Sequence, residues 1–232
     1  MKILAIDTTT FFGSIALLEN TELIGEVNIN SPVTHSQRLF PSIRFLLDIN
    51  KLSIKDIDGY ALCIGPGSFT GIRIGMATIK ALSFASLKPV APISSLQALA
   101  FKLRGRKGRL ICPLLDAKKR EIYSALFESS NSFLKEVIKQ GVYNPDGFFS
   151  SLPQRRIIYF IGNALEIYYS KIRKYFEDRA KFTLRSNFIG YEVGLLGYKI
   201  LKSNEGVFYN KLNPLYFRPS EAELKRQKNE KE

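Results

Sequence analysis

The chain has 232 residues, 45% of them hydrophobic, enough to bury a substantial core in one domain or two small ones. Its 34 Lys and Arg against 21 Asp and Glu leave a net charge of +13, an imbalance that favours an anionic partner such as RNA over an acidic small substrate, unless the source proteome is basic throughout. Two cysteines without a C-x-x-C exclude a disulfide framework, and no apolar run has the length of a membrane span or a signal peptide, so a cytoplasmic protein is expected.

Residues 2–6 read as a strand ending at Asp7, 14–18 as its hairpin partner and 22–29 as a third strand. Leu39, Phe40, Ile43, Leu46, Leu47 and Ile49 then recur at helical spacing over 35–50, with Pro41 expected to bend the second turn. The apolar run 60–64 reads as a buried strand. It leads into Gly65-Pro66-Gly67-Ser68-Phe69-Thr70-Gly71-Ile72-Arg73-Ile74-Gly75, a turn that launches a helix over 72–87, with Ser68 or Thr70 as its cap. A strand at 90–93 and a helix at 95–103 complete a βββαβαβα order.

The glycine turn invites a reading as a phosphate cradle, because a helix N-terminus offers unpaired amides and a partial positive charge. Its spacing is not that of a Walker loop: Ile72, not Lys-Ser/Thr, follows Gly71, and no G-x-G-x-x-G is present. The alternative is that the glycines let the helix start sharply and pack tightly. Gly75 supports this, since a glycine within a helix costs ~1 kcal/mol relative to alanine and something must approach closely there.

After the basic link 104–109 the pattern restarts, with strands at 110–115, 121–128 and 133–140, a strand at 157–161 followed by Gly162, and helices at 165–176 and 188–202. Asp7 to Glu19 and Asp116 to Glu128 are equal in length, and both end in Ala-Leu-apolar-Glu. Two copies of one unit is the economical reading, with an N-terminal lobe at 1–104, a C-terminal lobe at 105–219 and a charged, disordered tail at 220–232.

On a helical wheel the apolar residues of 35–50, with Phe45 added, sweep ~220°, more than one packed face needs. In the second helix Ile72, Ile74, Met76, Ile79, Leu82 and Phe84 surround the axis, while Arg73 and Lys80 share one narrow face. Both helices need covering twice, once by their own sheet and once by a partner, a second copy or the other lobe. Gly71, Gly75, Ala77, Ala81 and Ala85 would let a neighbouring helix come close.

Two such halves, each with an Asp ending its first strand, resemble the actin-like ATPase superfamily, a two-lobed α/β fold of ribonuclease H-like units. A closer resemblance runs through Ile3-Leu4-Ala5-Ile6-Asp7-Thr8, His35-Ser36-Gln37-Arg38-Leu39, the block from Gly65 to Gly75, Ser94-Ser95-Leu96, Leu115-Asp116-Ala117 and Pro214-Leu215-Tyr216-Phe217-Arg218. In that order they resemble the bacterial TsaB (YeaZ) family. The resemblance implies a non-catalytic scaffold of the complex that places threonylcarbamoyl on the tRNA adenosine beside the anticodon. The paralogue TsaD would perform the transfer with its own metal and the ATPase TsaE would join it. A homodimer would use a similar surface when TsaD is missing. It also implies a helical bundle with TsaD, which makes His35, Arg38, Leu39, Ile72, Arg73, Met76, Ile79 and Lys80 candidates for the partner face. No cofactor of its own is expected; ATP, Mg and the transfer-site metal would belong to partner subunits.

The competing reading is a nucleotide-binding actin-like enzyme using Asp7 and Asp116, which stand where such sites hold Mg-bound water. Thr8 occupies a usual Gly position, Ala117-Lys118-Lys119 replaces a glycine pair, and Gly162-Asn163-Ala164 is all that remains of an adenosine turn. Asp7, Thr8, Asp116 and Gly162 are therefore expected to form at most a degenerate nucleotide site, the two carboxylates accepting turn amides. His35 is the only histidine, so no paired His ligands exist for a metalloprotease and no His-activated nucleophile is available. The basic stretches 104–109, 118–120, 155–156 and 171–174 could add tRNA backbone contacts, although no aromatic stacking motif interleaves them.

Overall fold

A computed structural model describes residues 1–131, 133–183 and 186–219. The first half runs β1 (Lys2–Asp7), β2 (Phe12–Glu19), β3 (Glu22–Asn30), α1 (His35–Ile49), β4 (Gly59–Gly65), α2 (Phe69–Ser86), β5 (Val90–Ser94) and α3 (Ser95–Phe101). The second runs β6 (Leu110–Asp116), β7 (Ile122–Ser130), β8 (Phe133–Tyr143), α4 (Pro145–Ser151), β9 (Ile158–Ile161), α5 (Leu165–Phe176), β10 (Ala180–Phe182) and α6 (Gly190–Lys202). The first sheet is ordered β3-β2-β1-β4-β5 and the second β8-β7-β6-β9-β10, so the halves match strand for strand. In each, the first strand pairs antiparallel with the second and parallel with the fourth. This is the two-lobed actin-like fold with a duplicated βββαβαβα unit.

The second half contains two elements that periodicity did not anticipate. α4 had a local signal: Asn144 accepts from the amides of Asp146 and Gly147, and Pro145 opens the helix. β10 is too short for alternation to register. α2 begins earlier than expected, at Phe69, because the Ser68 hydroxyl accepts the Gly71 amide at 3.2 Å. The segment 220–232, expected to be a disordered tail, lies outside the described residues. Among the described residues no helix is long and apolar enough to cross a membrane.

Three apolar clusters hold the fold. One lies between the first sheet and α1 with α2, through Leu4, Ile6, Leu17, Leu39, Leu62 and Ile79. A second lies between the second sheet and α4 with α5, through Leu114, Leu126, Phe149, Phe160 and Phe176. The third is central and shared, joining residues of both sheets through α3 and α6. α6 lies across β1, β2, β4 and β5 of the first sheet, and α3 reaches β6, β7 and β8 of the second. The chain beyond α6 also returns to the first half: Val207 bridges to Val90, Leu212 enters the first-sheet core, the Leu215 amide donates to Ile64 O at 2.9 Å and Tyr216 stacks on Phe69. Packing thus crosses the boundary expected at 104/105.

Candidate functional site

The glycine turn closes on its own chain. Thr8, just past β1, donates its hydroxyl to Gly71 O at 2.8 Å, and the Ser68 amide donates to Thr9 O at 2.7 Å. A Cβ at Gly71 would stand 1.9 Å from Thr8 O, and one at Gly75 would stand 2.5 Å from Thr8 Oγ1. Those two glycines are therefore filled from within the lobe and offer no groove to a neighbouring helix. The first-turn amides of Gly71 and Ile72 are taken by the Ser68 hydroxyl and carbonyl. They do not await a phosphate.

Asp7 and Asp116 hold equivalent turns. Asp7 Oδ1 accepts the Thr9 amide at 2.9 Å and the Thr9 hydroxyl at 2.7 Å, and Asp116 Oδ1 accepts the Lys118 amide at 2.8 Å. Asp7 is fully buried, and among the described residues its Oδ2 has no hydrogen-bond partner. Burial pushes its carboxyl above the usual range, against the opposing bonds from Thr9 and Cys63. Desolvation, followed by the nearby Asp7 charge, likewise drives the Cys63 thiol far upward. Asp116 is paired with Lys118 Nζ at 2.7 Å. Gly162, at φ +128°, backs onto β6, where a Cβ would meet Leu114 O at 2.1 Å.

Between the lobes lies a hollow of only about 10 Å³, room for a single water-sized group, lined by Asp7, Thr9, Phe12, Ser95, Leu115 and Asn163. Ligand pockets run from ~300 to ~1,000 Å³. A magnesium nucleotide needs accessible carboxylates around a hydrated ion and open backbone at its phosphates. Here one carboxylate is sealed, the other is bound to a lysine, and the glycines face the protein's own carbonyls. The residues of this cleft do not fit that group.

The outer helices carry the second candidate site, and here the sequence reading needs correction. Leu39, Met76 and Ile79 are buried in the cluster under the first sheet and Ile72 is buried beside Gly65, so their side chains are covered by their own lobe. Arg38 is also turned inward: its guanidinium donates to Phe11 O at 2.9 Å, to Ile29 O and Ser31 O at 3.3 Å, and lies 3.1 Å from His35 Nδ1. His35 Nε2 sits 2.8 Å from Thr10 O, the arrangement of a neutral ring that donates from Nε2 and accepts at Nδ1. Burial, together with Arg38, holds the His35 pKa below its usual value. This pair ties α1 to the ends of the first hairpin. Of the predicted face only Arg73, whose guanidinium lies 5.4 Å from the Phe69 ring, and the half-buried Lys80 remain outward.

What does face solvent is a different set. On α1, Phe40, Phe45 and Ile49 are 55%, 58% and 66% exposed, and on the adjoining α2 Phe84 is 62% exposed. Ala77, Ala81 and Ala85 of α2 are exposed beside it. The alanines form a low row beside Phe84, whose ring meets Tyr209 edge-on at 5.2 Å, and the larger exposed apolar side chains stand on α1. The over-wide apolar sweep of both helices was the signal for this exposed set.

Residues 30–193 match the family model described as "TsaD: tRNA N6-adenosine threonylcarbamoyltransferase". The chain is 31% identical over 228 residues to the "tRNA threonylcarbamoyladenosine biosynthesis protein TsaB" of Bacillus subtilis, an alignment covering 97% of each protein. Among solved structures it superposes with a TM-score of 0.81 and 26% identity on a Pseudomonas aeruginosa protein described as having similarity to peptidase YEAZ, covering 94% of this chain and 99% of that one. The ROK hexokinase of Thermus thermophilus, at a TM-score of 0.51, 11% identity and coverage of 87% and 100%, shares the fold alone.

Proposed function

The chain belongs to the TsaB family, and from that membership we propose that it is a scaffold subunit in the formation of threonylcarbamoyladenosine in tRNA, docking a TsaD-type catalytic subunit on the outer face of α1 and α2. The observation that carries this reading is the exposed set Phe40, Phe45, Ile49 and Phe84 with the alanine row of α2. Burying one such side chain stabilises a complex by roughly 1.5–3 kcal/mol, so a few of them form the centre of an interface. In this reading a TsaE-type ATPase joins the assembly, tRNA is reached through the complex, and a second copy of the chain covers the same face when the catalytic subunit is missing. Transfer chemistry, ATP, Mg and metal stay with the partners. The sealed Asp7 and lysine-bound Asp116 support that division.

The test is a reconstitution with TsaD-type and TsaE-type subunits from the same source. Phe45→Asp with Ala81→Arg is expected to abolish tRNA modification, whereas Asp7→Asn leaves it at the native level. The opposite pattern would move the function to the cleft.

A further inference from the structure

At the end of the molecule away from the inter-lobe cleft, three separate segments bring cations to one place. The link 104–109 lies along the end of β7: Gly105 bridges to Asn131, and the Gly108 amide donates to Ser129 O at 2.8 Å. Arg156 joins it by donating to Gly108 O at 2.9 Å. The last turns of α6 reach the same spot, with Lys199 Nζ 4.9 Å from the Phe101 ring and 4.8 Å from the Phe133 ring. Arg104 lies over the other contact of that cluster, 4.2 Å from the Phe101 ring. Glu128 stands 3.8 Å from Arg156.

Phe133 is the unusual member. It is 69% exposed, at the start of β8, with an ammonium beside its ring and with Arg106 and Lys107 exposed on the neighbouring link. An apolar ring in a ring of cations suits neither a dry protein interface nor plain solvation. It suits a polyanion that alternates charge with flat apolar groups, because phosphates neutralise the cations and an unpaired base stacks on the exposed face. The aromatic partner that the basic stretches lack in sequence is supplied by the fold from residue 133.

We propose that this surface contacts RNA directly, Arg106, Lys107 and Arg156 taking phosphates and Phe133 taking an unpaired base. The choice of RNA rests on the function proposed above, but the contact is a property of the isolated chain and is tested without any partner. Fluorescence anisotropy would follow a labelled tRNA transcript titrated with the native chain over a salt series. Saturable binding is expected that weakens steeply with salt. Arg106→Glu with Lys107→Glu should weaken it about tenfold or more and lower the salt slope by about two. Phe133→Ala should weaken it about fivefold or more with the slope unchanged. Lys55→Glu with Lys181→Glu makes the same charge change elsewhere on the surface and should have little effect; thermal melting confirms that each variant is folded. The inference is overturned if the native chain shows no saturable binding at low salt, or if both double variants lose affinity equally. Capture by vesicles containing phosphatidylserine, with no binding of the transcript, would overturn it as well.

Discussion

Thr8 and Gly71 show at the scale of single residues what the glycine turn is for. The turn brings α2 against the end of β1 so closely that a methyl group at Gly71 would overlap a backbone oxygen. Alanine would gain about 1 kcal/mol of helix propensity. Backbone cannot yield as a side chain does, so Gly71→Ala is expected to be destabilising by about 1–3 kcal/mol net, lowering the melting temperature by several degrees. A rise in melting temperature would contradict the contact. The sequence showed that something must approach these glycines but not what, because Thr8 is distant in the chain and meets α2 only through the sheet. Asp7 gives a second expectation. The folded protein holds its proton more tightly than the unfolded chain, since burial raises the pKa above 3.8. Stability contributed by the protonated form is therefore lost as the pH rises from that value through the folded-state one. Asp7→Asn keeps an acceptor for Thr9 and removes the buried charge. In urea unfolding at several pH values it should match or exceed the native stability at pH 7, with the difference fading in acid. A variant weaker at pH 7 than in acid, relative to the native chain, would contradict this.

At the scale of elements, α6 begins without a cap of its own: Ile189 makes no side-chain capping bond. The first lobe supplies one across the chain. The Gly190 amide donates to Ser14 Oγ at 3.0 Å and the Tyr191 amide to Glu26 Oε1 at 3.1 Å, which places a carboxylate at the positive end of the helix. Glu26→Ala should then cost about 1 kcal/mol, seen as a melting point lower by about 2–4 °C, while Glu26→Gln retains much of the native value. Equal effects of the two substitutions would separate the loss from capping. This contact was not legible in the sequence, where α6 looked like the last helix of the second lobe. The duplication itself was legible, because hairpin length and the Asp at the first strand end survive in both copies. The facing of α2 was not: a helix apolar on all sides gives no direction, and only the sheet beneath decides that Ile72, Met76 and Ile79 turn inward while Ala77, Ala81 and Phe84 turn out.

At the scale of the molecule, exchanged packing joins the lobes: α6 on the first sheet, α3 toward the second, and the final segment back on β4, β5 and α2. Lys102 of the loop after α3 pairs with Glu192 of α6 at 2.9 Å in the shared interior. Such a body has a narrow hollow between its lobes and exposed apolar side chains on the outer helices of the first, and that contrast is the core of the proposed role. It is tested most directly by calorimetric titration of the TsaD-type subunit with the native chain and with Phe45→Asp, Ala81→Arg. Saturable binding by the native chain, weakened about a hundredfold or more in the folded double variant, is the predicted result. Equal binding by both chains would contradict it.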